Sequence, residues 1–235
     1  MNQRDKDYKR RAKMQNKNLI LFAVTLFCLR LTGLQAQTVK DIDGNVYPTI
    51  TIGKQVWMVE NLRTTKCIDG TSVLLVTDNK EWETLDSHKP AYCWYNNNSK
   101  ANRDVYGALY NWYTVNTGKI CPIGWHVPTD IEWTTLTTYL GGERVAGNKL
   151  KETGTKHGTS PNTEATNESG FKALAGGYRY TNGTFLYIKE YGSWWSSTES
   201  DTINALVRYL NDRDGIVRKQ SLNKRNGYSV RCLRD

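Results

Sequence analysis

The sequence predicts one α+β domain, on three observations. β-rich runs lie at both ends of the chain beyond residue 36, two or three helical patterns lie between them, and strands alternate little with helices. This order is typical of helices packed on twisted, mainly antiparallel strands. With 38% hydrophobic residues, 8 Trp, 14 Tyr and 4 Phe, the chain can build one core, and disordered or collagen-like classes are excluded. We expect the first and last strands to pair.

Residues 1–36 resemble a secretory signal peptide in composition. Residues 1–18 are polar and basic, residues 19–29 form an unbroken apolar run, and a short tail ends at Ala36. The run is shorter than the roughly 18 to 20 residues that span a bilayer. We expect cleavage after Ala36, a domain over residues 37–235, no membrane span in that domain, and export to the periplasm, the cell surface or the exterior. If translation began at Met14, the signal peptide would have a basic segment of ordinary short length before its apolar run.

The formal charge of +9 does not indicate a nucleic-acid partner. Eight Lys or Arg and two Asp lie within residues 1–36, so +6 belongs to the leader and +3 to the other 199 residues. A nucleic-acid surface needs a basic patch on the folded domain. We therefore expect no nucleic-acid binding.

The first strands are predicted over 46–52 and 55–59, because two β-rich runs flank Gly53-Lys54. Pro48 places the first of them at a sheet edge or near a strand beginning. Residues 63–103 are rich in Thr, Asn and Asp and are expected to form a long ordered loop, since they also hold clustered aromatic residues.

Helices are predicted next. Asp104 can cap a helix over 105–113, although Gly107 weakens it. A second helix begins at the capping box of Thr129 and Glu132 and ends at the left-handed pair Gly141-Gly142. Its inner face consists of Trp133, Leu136 and Leu140. A short third helix is expected over 145–151.

The remaining pattern predicts strands. Asn182-Gly183 is a strong hairpin turn between the strands 171–180 and 184–188. Further strands are expected over 194–198, 205–210, 216–219 and 228–233.

Four cysteines follow the leader, and an even number in an exported chain indicates disulfides. Three pairings are formally possible. We predict Cys121 with Cys232, because this bond would tie the chain end to the core, and Cys67 with Cys93. No close cysteine spacing accompanies the three scattered histidines, so a zinc site is disfavoured.

Three segments carry a family resemblance: residues 121–133 (Cys-Pro-Ile-Gly-Trp-His-Val-Pro-Thr-Asp-Ile-Glu-Trp), 194–199 (Trp-Trp-Ser-Ser-Thr-Glu) and 227–232 (Gly-Tyr-Ser-Val-Arg-Cys). Together with residues 57–62 and 106–112, they resemble the Fibrobacter succinogenes major paralogous domain family over essentially the whole domain. That family is distantly similar to C-type lectin-like folds and to formylglycine-generating and sulfatase-modifying enzymes. The resemblance implies a disulfide-stapled C-type lectin-like fold, and it says less about function.

Enzyme chemistry finds little support in the sequence. A formylglycine-generating enzyme uses two nearby reactive cysteines late in the chain, whereas only Cys232 lies there. Hydrolase and phosphate-loop motifs are missing. His126 is better explained as a hydrogen-bonded structural residue, and Asp130 and Glu132 by the helix N-terminus. We expect no enzyme, with a sulfatase-modifying relative as the alternative.

We expect instead a secreted or surface-exposed binding module, glycan-binding or adhesive, whose partner is an extracellular polysaccharide or a surface protein. A structural protein-protein component of a cell-surface assembly is a further alternative. Trp57, Trp112, Trp125 and Trp133 are expected in the core. The ligand-binding candidates are aromatic and amide side chains in loops: Trp94, Tyr95, Asn96, Asn97, Tyr187 and Tyr191. The alternative that Trp94 and Tyr95 fill a small core beneath the loop stays open.

No cofactor is expected, and calcium is only weakly indicated. Calcium-dependent lectins carry a Trp-Asn-Asp triplet, of which Leu210-Asn211-Asp212 is a partial match. A turn cap also explains this segment.

Overall fold

The computed structural model describes residues 2–4, 10, 37–86 and 88–235. The chain divides into two units, residues 1–36 and residues 37–235. The predicted signal peptide lies outside the described residues, apart from 2–4 and 10. No helix in the described ranges is long and apolar enough to cross a membrane.

The second unit is α+β. Its strands are β1 Thr38–Lys40, β2 Val46–Ile52, β3 Gln55–Met58, β4 Leu74–Leu75, β5 Ala91–Cys93, β6 Leu109–Tyr110, β7 Trp125–His126, β8 Gly176–Arg179, β9 Phe185–Ile188, β10 Tyr191–Glu199, β11 Asn204–Asn211, β12 Arg218–Asn223 and β13 Leu233–Arg234. Its helices are α1 Asn79–Thr84, α2 Ser99–Tyr106, α3 Trp112–Val115, α4 Asp130–Tyr139 and α5 Glu143–Leu150, with a 3-10 turn over Tyr95–Asn97.

The beginning and end of the domain meet in one antiparallel sheet of order β1-β2-β3-β13-β7. β2 and β3 form the predicted hairpin, in which Ile50 lies opposite Trp57. Leu233 of β13 lies opposite Trp57 on one side and His126 of β7 on the other. The first and last strands therefore share one sheet but do not pair directly, because β13 pairs with β3, the second strand of the hairpin.

A second antiparallel sheet has the order β10-β11-β12, and β8 and β9 form a separate hairpin beside it. The predicted Asn182-Gly183 turn joins β8 to β9. Gly183 has a φ of +87°, and its N–H donates to the carbonyl of Tyr180 at 2.9 Å. Glycine adopts a left-handed conformation at little energetic cost, so the Asn182-Gly183 dipeptide favours this hairpin turn.

Helix α4 forms as its end signals predict. The Thr129 side chain accepts from the Glu132 N–H while the Glu132 carboxylate accepts from the Thr129 N–H. At the other end, the N–H groups of Gly141 and Gly142 donate to the carbonyls of Thr138 and Thr137, which is a Schellman ending.

The inner face of α4 packs as expected. Trp133, Leu136 and Leu140 are all buried. The Trp133 ring contacts Trp57 and Trp194, with centroids at 4.9 and 6.1 Å. This aromatic cluster joins the helix to both antiparallel sheets.

The late Gly-Tyr-Ser-Val-Arg-Cys segment has a structural role. The fully buried Arg231 guanidinium donates to Asn61 Oδ1 at 2.8 Å and to the Phe171 carbonyl, and it lies 4.1 Å from the Phe171 ring centre. Burial lowers the pKa of Arg231 to about 9. Trp194 Nε1 donates to the same Asn61 oxygen at 2.8 Å, so one amide joins two of the motif segments.

The predicted helix over 105–113 is wrong. Gly107 has a φ of +74° and ends α2. A Cβ at Gly107 would lie 2.8 Å from the Leu62 carbonyl oxygen, so the close approach of another segment demands glycine here. Asn98 caps α2 and Asn111 caps α3, whereas Asp104 lies within α2.

Two further expectations need correction. The segment 63–103 contains β4, α1, β5 and the first part of α2, so it is less irregular than predicted. The last predicted strand, 228–233, is reduced to β13 preceded by single bridges at Tyr228 and Ser229.

One of the two predicted disulfides is present. Cys121 and Cys232 are bonded, across a sequence separation of 111. The predicted bond between Cys67 and Cys93 is wrong, because both are free, buried thiols. They belong to different hydrophobic clusters: Cys67 lies near Thr117, whereas the Cys93 thiol is wholly enclosed beside Trp82 and Tyr95.

Candidate functional site

A concave surface lined largely by tyrosines lies between the β10-β11-β12 sheet and the β8-β9 hairpin, and we call it the tyrosine cleft. It encloses about 320 Å³, within the usual range of small-molecule sites. Its lining side chains are Tyr178, Tyr180, Tyr187, Tyr191, Ser193, Val207, Tyr209, Gln220, Leu222, Asn226 and Tyr228.

Five of these tyrosine rings form a continuous arc. The centroids are separated by 5.3 Å from Tyr228 to Tyr178, 5.8 Å from Tyr178 to Tyr187, 5.1 Å from Tyr187 to Tyr191 and 6.0 Å from Tyr191 to Tyr209. All four distances are those of aromatic pairs in contact. The arc is therefore a packed layer whose members support one another.

Strand alternation explains how β10 and β11 contribute to the arc. Ser193 lies opposite Tyr209, and Tyr191 shares the face of Ser193 because it is two residues away. The other face of the same sheet carries Trp194 opposite Arg208. Those two residues pack against α4. The cleft lies on the opposite face, at its Tyr191–Tyr209 end, whereas Trp195 and Ala205 farther along that face are buried in the core.

The hairpin supplies Tyr178 and Tyr187 by an irregular backbone. Tyr178 lies opposite Leu186, so regular alternation would direct Tyr187 to the other face. Tyr187 instead has a left-handed backbone, with a φ of +58°. Gly177, its neighbour across the hairpin, is also left-handed, with a φ of +64°. A left-handed φ is unusual for a bulky aromatic residue, and here it accompanies the contact of Tyr187 with Tyr178 and Tyr191.

The cleft has a deep floor and an exposed rim. Tyr228 and Ser193 on the floor are 3% and 4% exposed, whereas Tyr180 and Tyr187 on the rim are 47% and 46% exposed. A ligand could therefore contact aromatic faces on entry and polar groups at depth.

The cleft carries hydrogen-bonding groups and no charged lining residue. The Tyr228 hydroxyl accepts from Asn226 Nδ2 at 3.2 Å, which leaves its own proton to donate. The other four hydroxyls of the arc and that of Ser193 have no hydrogen-bond partner among the residues that the structure describes. These groups can serve a ligand as donors or acceptors.

The buried phenols remain protonated at ordinary pH. Burial raises the pKa of Tyr228 well above its usual range, and burial together with the neighbouring tyrosines raises the pKa of Tyr178. The floor of the cleft is therefore neutral as well as polar.

The structure separates the predicted ligand residues into two groups. Tyr187 and Tyr191 lie in the cleft, whereas Trp94 and Tyr95 lie in the core, each 6% exposed. Trp94 packs edge to face on Tyr92 at 5.4 Å, and Tyr95 packs on Phe185 at 5.3 Å. The prediction that Trp94 and Tyr95 are exposed platforms is wrong, because they fill the core beneath the loop.

Asn96 and Asn97 are exposed, as predicted, but no aromatic platform lies exposed beside them in their own turn. Both adopt a left-handed backbone, with φ of 50° and 52°, a conformation that asparagine tolerates. The Asn97 amide donates to the Thr77 carbonyl at 2.5 Å. This contact gives Asn97 a structural role in holding the turn.

The residues around the predicted calcium segment do not fit an ion. Asn211 Oδ1 accepts from the N–H groups of Arg213 and Asp214 and thus caps a turn. The Lys151 ammonium donates to the carbonyls of Thr163 and Asp214, at 2.7 and 2.9 Å, and so takes oxygens that a cation would use. No group of three or more His, Cys, Asp or Glu in the described ranges could hold a metal.

His126 has a structural position between two carboxylates. Its Nδ1 lies 2.6 Å from Asp235 Oδ1 and its Nε2 lies 2.9 Å from Glu132 Oε1. Burial lowers the pKa of His126, but the two hydrogen-bonded carboxylates outweigh burial and raise it overall. Both ring nitrogens are therefore engaged in holding β7 to α4 and to the chain end.

Sequence reasoning missed Tyr178, Tyr209 and Tyr228, which complete the arc. They come from three separate segments, and only the pairing of strands brings them together. Alternation within residues 191–209 was the available signal, because Tyr191, Ser193 and Tyr209 would share a face once β10 and β11 pair in this register.

Comparisons with known proteins give a family and no named relative. A family model described as the Fibrobacter succinogenes major domain matches residues 50–234. No curated protein and no solved structure matches the chain.

Proposed function

The chain belongs to the Fibrobacter succinogenes major domain family, and from that premise we propose that it is an exported, non-enzymatic module that binds carbohydrate in the tyrosine cleft. The observation that carries the proposal is the arc of five contacting tyrosines, four of whose hydroxyls have no hydrogen-bond partner in the part of the chain that the structure describes. Aromatic faces suit the apolar faces of sugar rings, and the hydroxyls, with the Gln220 amide, suit sugar hydroxyls.

The first experiment is a glycan array followed by calorimetry on the best neutral oligosaccharide. Tyr191→Ala removes a central ring of the arc. We expect binding to weaken roughly thirtyfold, which corresponds to the ~2 kcal/mol of an interface hot spot. Tyr187→Ala at the rim should also weaken binding.

A matched control is Tyr139→Ala. Tyr139 is 65% exposed on the last turn of α4, outside the cleft. Its loss should leave affinity unchanged. Equal affinity for Tyr191→Ala and wild type would remove the cleft from the proposal.

A proline-rich peptide is the competing ligand, because aromatic grooves also bind extended proline segments. If such a peptide bound and competed at Tyr191 while no sugar did, the protein would be a protein-protein component of a surface assembly. The polar groups at Ser193 and Tyr228 favour sugar, since a proline ring offers them no hydroxyl.

We also propose the finer fold assignment, a C-type lectin-like domain. The pairing of β3 with β13 and the bond from Cys121 to the chain end support it, together with the motif resemblance. An experimental structure that superimposes poorly on C-type lectin-like domains would refute this assignment.

The alternative of a sulfatase-modifying enzyme is disfavoured by the state of the cysteines. Cys232 is bonded to Cys121, and burial raises the pKa of both free thiols, that of Cys93 to about 12. A thiol with a raised pKa is a poor nucleophile. The alternative is tested by incubating a cysteine-containing sulfatase peptide with the protein and measuring the mass of the peptide. An enzyme of this class would convert the peptide's cysteine, and the thiol would be lost.

Export is proposed on the leader composition and on the disulfide, which oxidising compartments favour. Cell fractionation with N-terminal sequencing tests it. A mature chain beginning at Gln37 is expected, and a cytoplasmic chain that retains residues 1–36 would refute it.

A further inference from the structure

We infer that the tyrosine cleft selects neutral sugars over acidic ones and holds only one or two sugar rings. This inference rests on the proposed carbohydrate function and specifies its ligand class. It follows from the charges around the cleft and from the size of the cleft.

The cation beside the arc is already neutralised. Arg218 lies opposite Tyr209 in the β11-β12 register. Its guanidinium forms two hydrogen bonds to the Asp214 carboxylate, at 2.8 and 2.6 Å. A sugar carboxylate approaching this side would have to compete with Asp214 for Arg218 and would meet its negative charge.

A carboxylate inside the cleft would find hydroxyl and amide partners but no cation. Burying a charge without an opposite charge is costly, whereas a hydroxyl needs only hydrogen-bond partners. The floor supplies such partners through Ser193 and Tyr228, and the exposed Gln220 supplies them at the rim. The lining therefore favours a ligand that carries hydroxyl groups alone.

The volume limits the length of the bound segment. About 320 Å³ lies near the lower end of the roughly 300 to 1,000 Å³ typical of small-molecule sites. An extended polysaccharide would place most of its rings outside. The affinity for a single bound position should thus cease to rise once the ligand has two rings.

The test uses matched pairs of sugars on the wild-type protein, measured by calorimetry. Gluco-, manno- and galacto-oligosaccharides of two and six rings are each compared with the counterpart whose C6 alcohols are oxidised to carboxylates. We expect the neutral member of the bound pair to bind about tenfold or more tightly. We expect six rings to bind less than about fivefold more tightly than two, because a two-ring site can occupy about five overlapping positions on a chain of six rings.

A charge variant tests the same reasoning from the protein side. Gln220→Lys adds a cation at the rim and should narrow the preference for the neutral sugar. Ser221→Lys is the control, because Ser221 is the exposed next residue on the opposite face of β12 and bonds to Ser200. It should leave the preference unchanged.

The outcomes separate this inference from the proposed function. Equal or tighter binding of the oxidised sugar, lost in Tyr191→Ala, would overturn the selectivity and retain carbohydrate binding. A tenfold gain from two to six rings would overturn the size limit. No binding of any neutral or oxidised sugar would overturn the proposed function itself.

Discussion

Removing the Cys121–Cys232 disulfide should cause a large loss of stability. The bond closes a loop with a sequence separation of 111. In the chain-entropy model a loop of this length lowers the entropy of the unfolded chain enough to contribute ~4.8 kcal/mol at 25 °C. That is a large share of the roughly 5 to 15 kcal/mol by which domains are stable. The double variant Cys121→Ala/Cys232→Ala should therefore lose about 4 to 5 kcal/mol.

The assay is urea unfolding of residues 37–235, followed by tryptophan fluorescence and far-UV circular dichroism. Cys67→Ala serves as the control, since it removes a buried thiol that closes no loop, and it should cost about 1 kcal/mol. Thiol counting in denaturant without reduction should give two free thiols. A loss below about 2 kcal/mol for the double variant would refute the loop-entropy reasoning. A count of zero would restore the second disulfide.

Three further predictions concern the core and the histidine. Trp133→Ala should destabilise the domain by about 3 to 5 kcal/mol, because it leaves a cavity between the sheets. Thr129→Ala should cost about 1 kcal/mol through loss of the helix cap. If denaturant titration gave the opposite order, the assignment of the buried face of α4 would be wrong. Trp94→Ala should also lower stability by about 3 kcal/mol or more while sugar affinity per folded molecule is retained, and a variant of normal stability that lost binding would return Trp94 to the ligand site. Because the folded pKa of His126 is raised above 6.5, its contribution to stability is complete below pH 6.5 and is lost as pH rises through the folded pKa. The stability difference between wild type and His126→Gln, measured by urea titration from pH 5 to 9, should therefore shrink with pH, and a difference that grows would contradict the pairing with Asp235.

Local sequence signals predicted those elements whose ends are fixed by their own residues. The capping box at Thr129 and the Gly141-Gly142 ending define α4 without help from the rest of the chain. The helix predicted through Gly107 failed because the decisive contact, the approach of the Leu62 carbonyl, comes from a segment distant in sequence. The spacing of apolar residues along the chain cannot predict such a long-range contact.

One predicted disulfide was right and the other was wrong for the same reason. Cys232 lies near the chain end, and the pairing of β13 between β3 and β7 brings that end into the core beside Cys121. The two remaining cysteines are equally compatible with a bond by parity alone. Cys67 and Cys93 lie in separate hydrophobic clusters. This placement depends on tertiary packing, which an even number of cysteines does not predict.

The loop aromatics show how composition misleads about exposure. Trp94 and Tyr95 are followed by three asparagines in a segment rich in Thr, Asn and Asp, which favours a surface loop. Yet the strand β5 that precedes them is buried, and both rings pack into the core while the left-handed Asn96 and Asn97 form the exposed turn after them. Tyr187 shows the converse, since a left-handed residue in a strand turns an aromatic ring towards the open cleft.

The two faces of the β10-β11-β12 sheet explain why the family motifs and the proposed site share Tyr228 alone. Trp194 and Arg208 on one face hold the sheet to α4, with Arg208 donating to Asp130 at 2.7 Å. On the other face, Tyr191 and Tyr209 have contacts mainly with further tyrosines of the arc. A substitution on the first face disturbs the core, whereas one on the second changes the chemistry presented to a ligand at little cost in stability. Ligand specificity can therefore change at Tyr191 and Tyr209 while Trp194 and Arg208 hold the sheet to α4.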